Sequence, residues 1–169
     1  MGLNDKENPG FARVCFFIIE FMGKMIGYLI TWTTYGTWLQ GDKRGYVKHG
    51  EVSGENKRLR ESNICSQRGK VVRLTLQQQE VVRKAILREA KNLGQKIYAI
   101  AVCTNHIHVV VDCIDEAIET VVARYKKAAR QALNVNGFLG RVWTRGYDKR
   151  YCFDEKSLKD RIGYVHRHN

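Results

Sequence analysis

A chain of 169 residues suffices for a single domain with its own core, and a hydrophobic fraction of 44% is that of an ordinary globular protein. Lys and Arg number 29 against 17 Asp and Glu, a formal charge of +12 that attracts polyanions over long range, nucleic acid being the commonest. Five cysteines without a CxxC pair argue against a disulfide framework and fit a reducing cytoplasm.

In chain order, the apolar run from Phe11 to Phe21 is broken by Arg13 and Glu20, which makes it too short and too charged for a membrane span. It also lacks the basic start and small-residue cleavage site of a secretory leader. Residues 1–24 therefore read as an N-terminal extension, and residues 25–169 as the domain. A strand follows at about Ile26 to Thr34, with Tyr28, Ile30 and Trp32 on one face and Leu29 and Thr31 on the other. Residues 35–70, rich in glycine and charge, read as one long irregular stretch, a length that implies a function. Thr75 offers a helix N-cap with Gln78 three residues on. Val82, Ala85, Ile86 and Leu93 then recur at helical spacing until Gly94 closes the element.

Two strands, at about Lys96 to Cys103 and His106 to Cys113, are joined tightly enough around Asn105 for an antiparallel hairpin. Asp115 stands where it would cap a second helix reaching about Val135. On that helix Ile118, Val122, Tyr125, Ala129 and Ala132 share one arc, so Tyr125 reads as core. A short hairpin at about Val142 to Phe153 and a terminal helix from about Asp154 complete the chain. This order describes an α+β architecture in which helices pack mainly on one face of an antiparallel sheet, as in ferredoxin-like or RRM-like folds.

Two places carry chemistry. His106 and His108 are two apart on a strand and emerge on one side, while Ile107, Val109 and Val111 face the other. Such a pair is half of a metal site, although His-x-His by itself is more often satisfied by hydrogen bonds or solvent. On the terminal helix Leu158, Ile162 and Val165 form the apolar stripe, while Asp160, Tyr164 and His168 stand at i, i+4 and i+8. Tyr164 thus lies off the buried arc, one turn before a histidine. Taken alone, that pattern reads as surface packing before it reads as catalysis.

Four blocks together go further. They are Thr31-Trp32-Thr33-Thr34-Tyr35-Gly36-Thr37-Trp38-Leu39, Asn105-His106-Ile107-His108-Val109, Val142-Trp143-Thr144-Arg145-Gly146-Tyr147 and Gly163-Tyr164-Val165-His166-Arg167-His168-Asn169. In order and spacing the chain resembles the single-tyrosine HUH transposases, and among them the REP-associated tyrosine transposases. The resemblance runs from about Met25 to the last residue. It implies an RRM-like core, usually dimeric, that binds single-stranded DNA folded into hairpins. It also implies cleavage and rejoining through a 5′-phosphotyrosine, with Tyr164 as the nucleophile and a divalent metal, Mg²⁺ or Mn²⁺, held by His106 and His108.

In relatives the third ligand comes four residues after the tyrosine, commonly as Gln or Asn. Here that position is His168, with Asn169 next and the alternative ligand. A third imidazole would shift preference from Mg²⁺ toward Mn²⁺ or other transition ions. The chain stops shortly after Tyr164, so the last helix is expected to fray, and a trimmed or decayed copy stays open as a reading.

The cations expected on DNA phosphates are Arg124, Lys126, Lys127 and Arg130 on the second helix, and Arg141, Arg145, Lys149 and Arg150 around the hairpin. Trp38, Trp143 and Tyr147 are candidates for stacking on unpaired bases, against the commoner fate of a tryptophan as part of the core. Two rival readings remain: a retired relative that grips hairpin DNA without cutting it, and an RRM-like RNA-binding module. The absence of a clear aromatic RNP pattern on the strands counts against the second.

Overall fold

A computed structural model of the chain describes residues 25–168 other than 44, 49, 50 and 68. The expected extension 1–24 and the alternative ligand Asn169 lie outside the described residues. The elements are β1 (Gly27–Thr33), β2 (Tyr46–Lys48), β3 (Glu51–Ser53), α1 (Lys57–Cys65), α2 (Leu76–Asn92), β4 (Ile97–Val102), β5 (His106–Val111), α3 (Ile118–Val135), β6 (Asp148–Cys152) and α4 (Glu155–His166).

Four strands form an antiparallel sheet in the order β4-β5-β1-β6, so the strand carrying the histidines is central. Period-two alternation divides it into two faces. Tyr28, Ile30 and Trp32 of β1 and Ile107, Val109 and Val111 of β5 pack under α2 and α3, against Val82, Ile86, Val122 and Leu133. Leu29, Ala99, Ala101 and Val110 point the other way and meet Val165, Leu158 and Ile162 of α4. The fold is therefore α+β with the two long helices on one face, as the resemblance implies, and a shorter helix partly covering the other.

Local chemistry sets the helix ends. Thr75 and Gln78 close a reciprocal capping box on α2, and Gly94 follows that helix with φ 66°. Asp154 and Ser157 do the same for α4. The expected cap at Asp115 is corrected: α3 begins at Ile118 behind Ala117, with no side-chain cap. Its buried face is Val121, Val122, Tyr125, Ala129 and Leu133, so Tyr125 is core, as read, while Ala132 gives way to Leu133.

Two other expectations are overturned. Residues 35–70 are not one irregular stretch: they hold the β2–β3 ribbon and α1, whose N-cap Asn56 accepts from the Leu59 amide. Nor do Val142 to Phe153 form a hairpin with themselves. Trp143 bridges to Thr34, and β6 pairs along β1 from Gly27↔Cys152 to Thr31↔Asp148. No helix among the described residues is long and apolar enough to cross a membrane.

Candidate functional site

The sheet register puts the site together. Thr31 of β1 and Ala101 of β4 both lie opposite His108, and Thr33 lies opposite His106. The small side chain of Ala101 leaves room for α4 to settle on this face, where Val165 is fully buried and fixes the helix. Tyr164 in its last turn and His168, two residues beyond its end, then lie beside the histidines. The His108 and Tyr164 rings lie 5.3 Å apart between centroids, the Tyr164 and His168 rings 4.5 Å, and the His108 and His168 rings 4.8 Å. One ring nitrogen from each of His106, His108 and His168 falls within 4.8 Å of the others, a group that can hold a metal ion.

Hydrogen bonds fix how those rings present themselves. The Nδ1 of His106 bonds the Asn105 Oδ1 at 2.8 Å, and the Nδ1 of His168 bonds the Tyr164 carbonyl oxygen at 2.9 Å. Both oxygens accept, so each Nδ1 is the donor in these bonds. The Nδ1 of His108 sits 2.7 Å from the Thr31 hydroxyl, which can accept in the same way. Three imidazoles, each held by an oxygen at Nδ1, are a donor set that a divalent cation can take. Asn105 and Thr31 were not singled out from the sequence; the residue beside His106 and the cross-strand partner of His108 were the signals.

Burial, with His106 and His168 beside it, lowers the His108 pKa to about 4. The unfolded chain takes up that proton near pH 6.5, whereas the folded chain does not until about pH 4. Metal-free protein should therefore lose stability as pH falls from 6.5 to 4 and gain no further loss from this group below it. The contribution is on the order of 3 kcal/mol at most. Thermal melts in chelator across that range check it: a His108→Gln variant should show a flatter dependence, and an identical one would remove His108 as the cause.

Tyr164 is 38% exposed and opens into a cleft of about 660 Å³ that His108, Trp38, Tyr147, Arg150 and Arg161 also line. Arg161 was not anticipated; its signal was the spacing i−3 from Tyr164, whereas Asp160, the residue in i, i+4 register, is exposed elsewhere. The Arg161 Nε is buried with no hydrogen-bond partner, an arrangement that costs about 1–3 kcal/mol.

A second groove, of about 770 Å³, is lined by Lys127, Arg130, Gln131, Asn134, Arg141 and Arg145, and the groove and the cleft share Thr144. Arg141 also donates from Nε to the Trp143 carbonyl at 3.2 Å and lies over the Tyr35 ring, and the expected DNA cations outside this set are engaged within the fold. Arg124 pairs with Glu89 at 2.7 Å, Lys149 with Glu119 at 2.8 Å and Arg150 with Asp148 at 3.1 Å. The Lys126 ammonium donates to the carbonyls of Thr144, Arg145 and Gly146, and burial pushes its pKa down to about 8. Trp143 is buried against Trp32 and donates to the Lys126 carbonyl, so it is core and not a stacking platform. Trp38 is 41% exposed and donates to the Gly45 carbonyl. Tyr147 donates to Glu119.

Among solved structures, the chain is similar to a REP-associated tyrosine transposase bound to a REP hairpin. Identity is 15% and the TM-score 0.54, over 83% of this chain and 64% of that one. It thus spans less than two thirds of that protein. A Deinococcus radiodurans R1 protein described as a candidate transposase matches at 12% identity and a TM-score of 0.45, covering 86% and 92% of the two chains. No curated protein matches the sequence. The family described as IS200-like transposase matches residues 63–168, which hold the histidine strand, the basic groove and the tyrosine helix, and the chain belongs to that family.

Proposed function

We propose that residues 25–169 are a DNA cleavage and joining domain that acts on hairpin-forming single-stranded DNA, with Tyr164 as nucleophile. The observation that carries this reading is the convergence, within one chain, of Tyr164 with His106, His108 and His168 beside an open cleft. The Tyr164 Oη bonds to phosphorus while the bond from phosphorus to the 3′ oxygen breaks. The phenol gives its proton to water, the 3′ oxygen takes one from water, and a 5′-phosphotyrosine and a 3′-hydroxyl result. The phosphodiester's bond energy is kept in the new ester, so rejoining needs no nucleotide.

His106, His108 and His168 would hold a divalent cation. Bound there, it would make the phosphorus more electrophilic and offset its developing charge. Three nitrogen donors favour Mn²⁺ over Mg²⁺. The Thr31 hydroxyl orients the innermost ring, so Thr31→Val should lower Mn²⁺ affinity by about 10- to 100-fold with the fold retained, as read by calorimetric titration. An unchanged affinity would remove Thr31 from the site.

The groove of Lys127, Arg130, Arg141 and Arg145 supplies salt-sensitive phosphate contacts, and its junction with the cleft at Thr144 lets one strand run from a gripped stem to the tyrosine. A homodimer is part of the proposal, as is cytoplasmic work, where the free Cys65, Cys103, Cys113 and Cys152 stay reduced. The test is incubation with single-stranded DNA hairpins of randomised flanks and Mn²⁺ or Mg²⁺, followed by a denaturing gel. A covalent adduct that chelator abolishes supports the enzyme. Hairpin binding without adduct in either metal would mean a retired relative, and no preference for DNA hairpins would favour an RNA-binding module.

A further inference from the structure

The cleft beside Tyr164 contains a cation, Arg161, that no carboxylate among the described residues pairs with. Arg161 has no hydrogen bond or ion pair to another described residue, and its Nε is buried without a partner. Its neighbours differ: Arg150 is held by Asp148, Lys149 by Glu119, and Lys126 by three carbonyls. Arg161 and Tyr164 stand at i and i+3 on α4, about 60° apart at 100° per residue, and His168 follows two residues beyond the helix end. Arg161 and Tyr164 both line the cleft that reaches His108.

We propose that Arg161 is a further catalytic residue, which binds the non-bridging oxygens of the phosphate that Tyr164 attacks. The assignment rests on the reading of Tyr164 as nucleophile and adds to it. In phosphoryl transfer, charge spreads over the non-bridging oxygens, and a cation already in place stabilises it without reorganisation. A guanidinium suits this task because its planar fork matches two phosphate oxygens at once. His108 lines the same cleft as Arg161 and Tyr164, so a guanidinium there can meet a phosphate alongside a cation held by the histidines. It moves no proton and breaks no bond. The same contact serves the reverse step, in which a 3′-hydroxyl attacks the phosphotyrosine and releases the phenol.

The experiment compares full-length wild type, Arg161→Gln, Arg161→Lys and Arg161→Ala for the rate of adduct formation on single-stranded hairpins of randomised flanks in Mn²⁺. Hairpin affinity and thermal melts are measured on the same samples. Arg161→Gln is expected to slow adduct formation about 100-fold or more, with hairpin affinity within about threefold of wild type. Arg161→Lys should fall between, since it keeps the charge and loses the fork. Millimolar guanidinium should restore part of the Arg161→Ala rate, which a purely structural arginine would not allow. Adduct formation at the wild-type rate in Arg161→Gln would overturn the assignment, as would a loss that tracks the melting temperature and resists guanidinium. No adduct with wild type itself would overturn the reading of the whole site, and this assignment with it.

Discussion

Tyr164→Phe should keep the fold and its hairpin affinity while losing covalent adduct formation by about 10⁴-fold or more, since the other phenol lining the cleft, Tyr147, donates its hydroxyl to Glu119. The substitution removes one hydroxyl from a ring that is 38% exposed, so packing changes little. The control is Tyr125→Phe. Tyr125 is fully buried, and its hydroxyl donates at 2.6 Å to Gln95, whose amide donates to the Tyr28 hydroxyl at 2.9 Å and to the Asp112 carbonyl at 2.8 Å. Burial raises the Tyr125 pKa well above 10 and that of Tyr28 to about 12, which suits structural phenols and not nucleophiles. Tyr125→Phe should therefore keep the chemistry and cost about 1–3 kcal/mol of stability, because Gln95 loses a buried partner. Denaturing gels and melts on the two variants check both halves, and an adduct surviving in Tyr164→Phe would refute the assignment.

His106→Ala should cost at least about 100-fold in Mn²⁺ affinity, more than loss of a residue that merely orients a ligand. It is a cleaner probe than His108, because His106 is half-buried at the rim whereas His108 is 5% exposed and lies between α4 and the sheet. Adduct formation should fall in step at low Mn²⁺ and recover in part when Mn²⁺ is raised, if the defect is in metal loading alone. Calorimetric titration with Mn²⁺ separates loading from chemistry. Unchanged affinity would remove His106 from the ligand set.

The parts of this architecture that were legible in the sequence are those where side-chain period and burial coincide. β1 and β5 alternate cleanly, so both faces of the sheet and the outward pair of histidines could be read from residues 26–34 and 106–113. The same reasoning told Tyr125 from Tyr164, because one lies on an apolar arc and the other off it. α1 escaped notice because it buries none of its residues and so carries no apolar stripe. β6 was assigned a local partner because pairing with β1, far away in sequence, leaves no local trace. Charge was easy to count and hard to place: Arg124 and Lys149 look like DNA contacts until Glu89 and Glu119 are seen beside them. Arg161 was passed over for the opposite reason, since the absence of a partner is a property of the folded molecule.

Locating the nucleotide on the protein tests the central claim most directly. The adduct formed on hairpin DNA in Mn²⁺ is digested with protease and nuclease, and the modified peptide is fragmented in a mass spectrometer. A nucleotide esterified to the Tyr164 oxygen is the expected result; one attached to Tyr147, Tyr98 or any other side chain would contradict it.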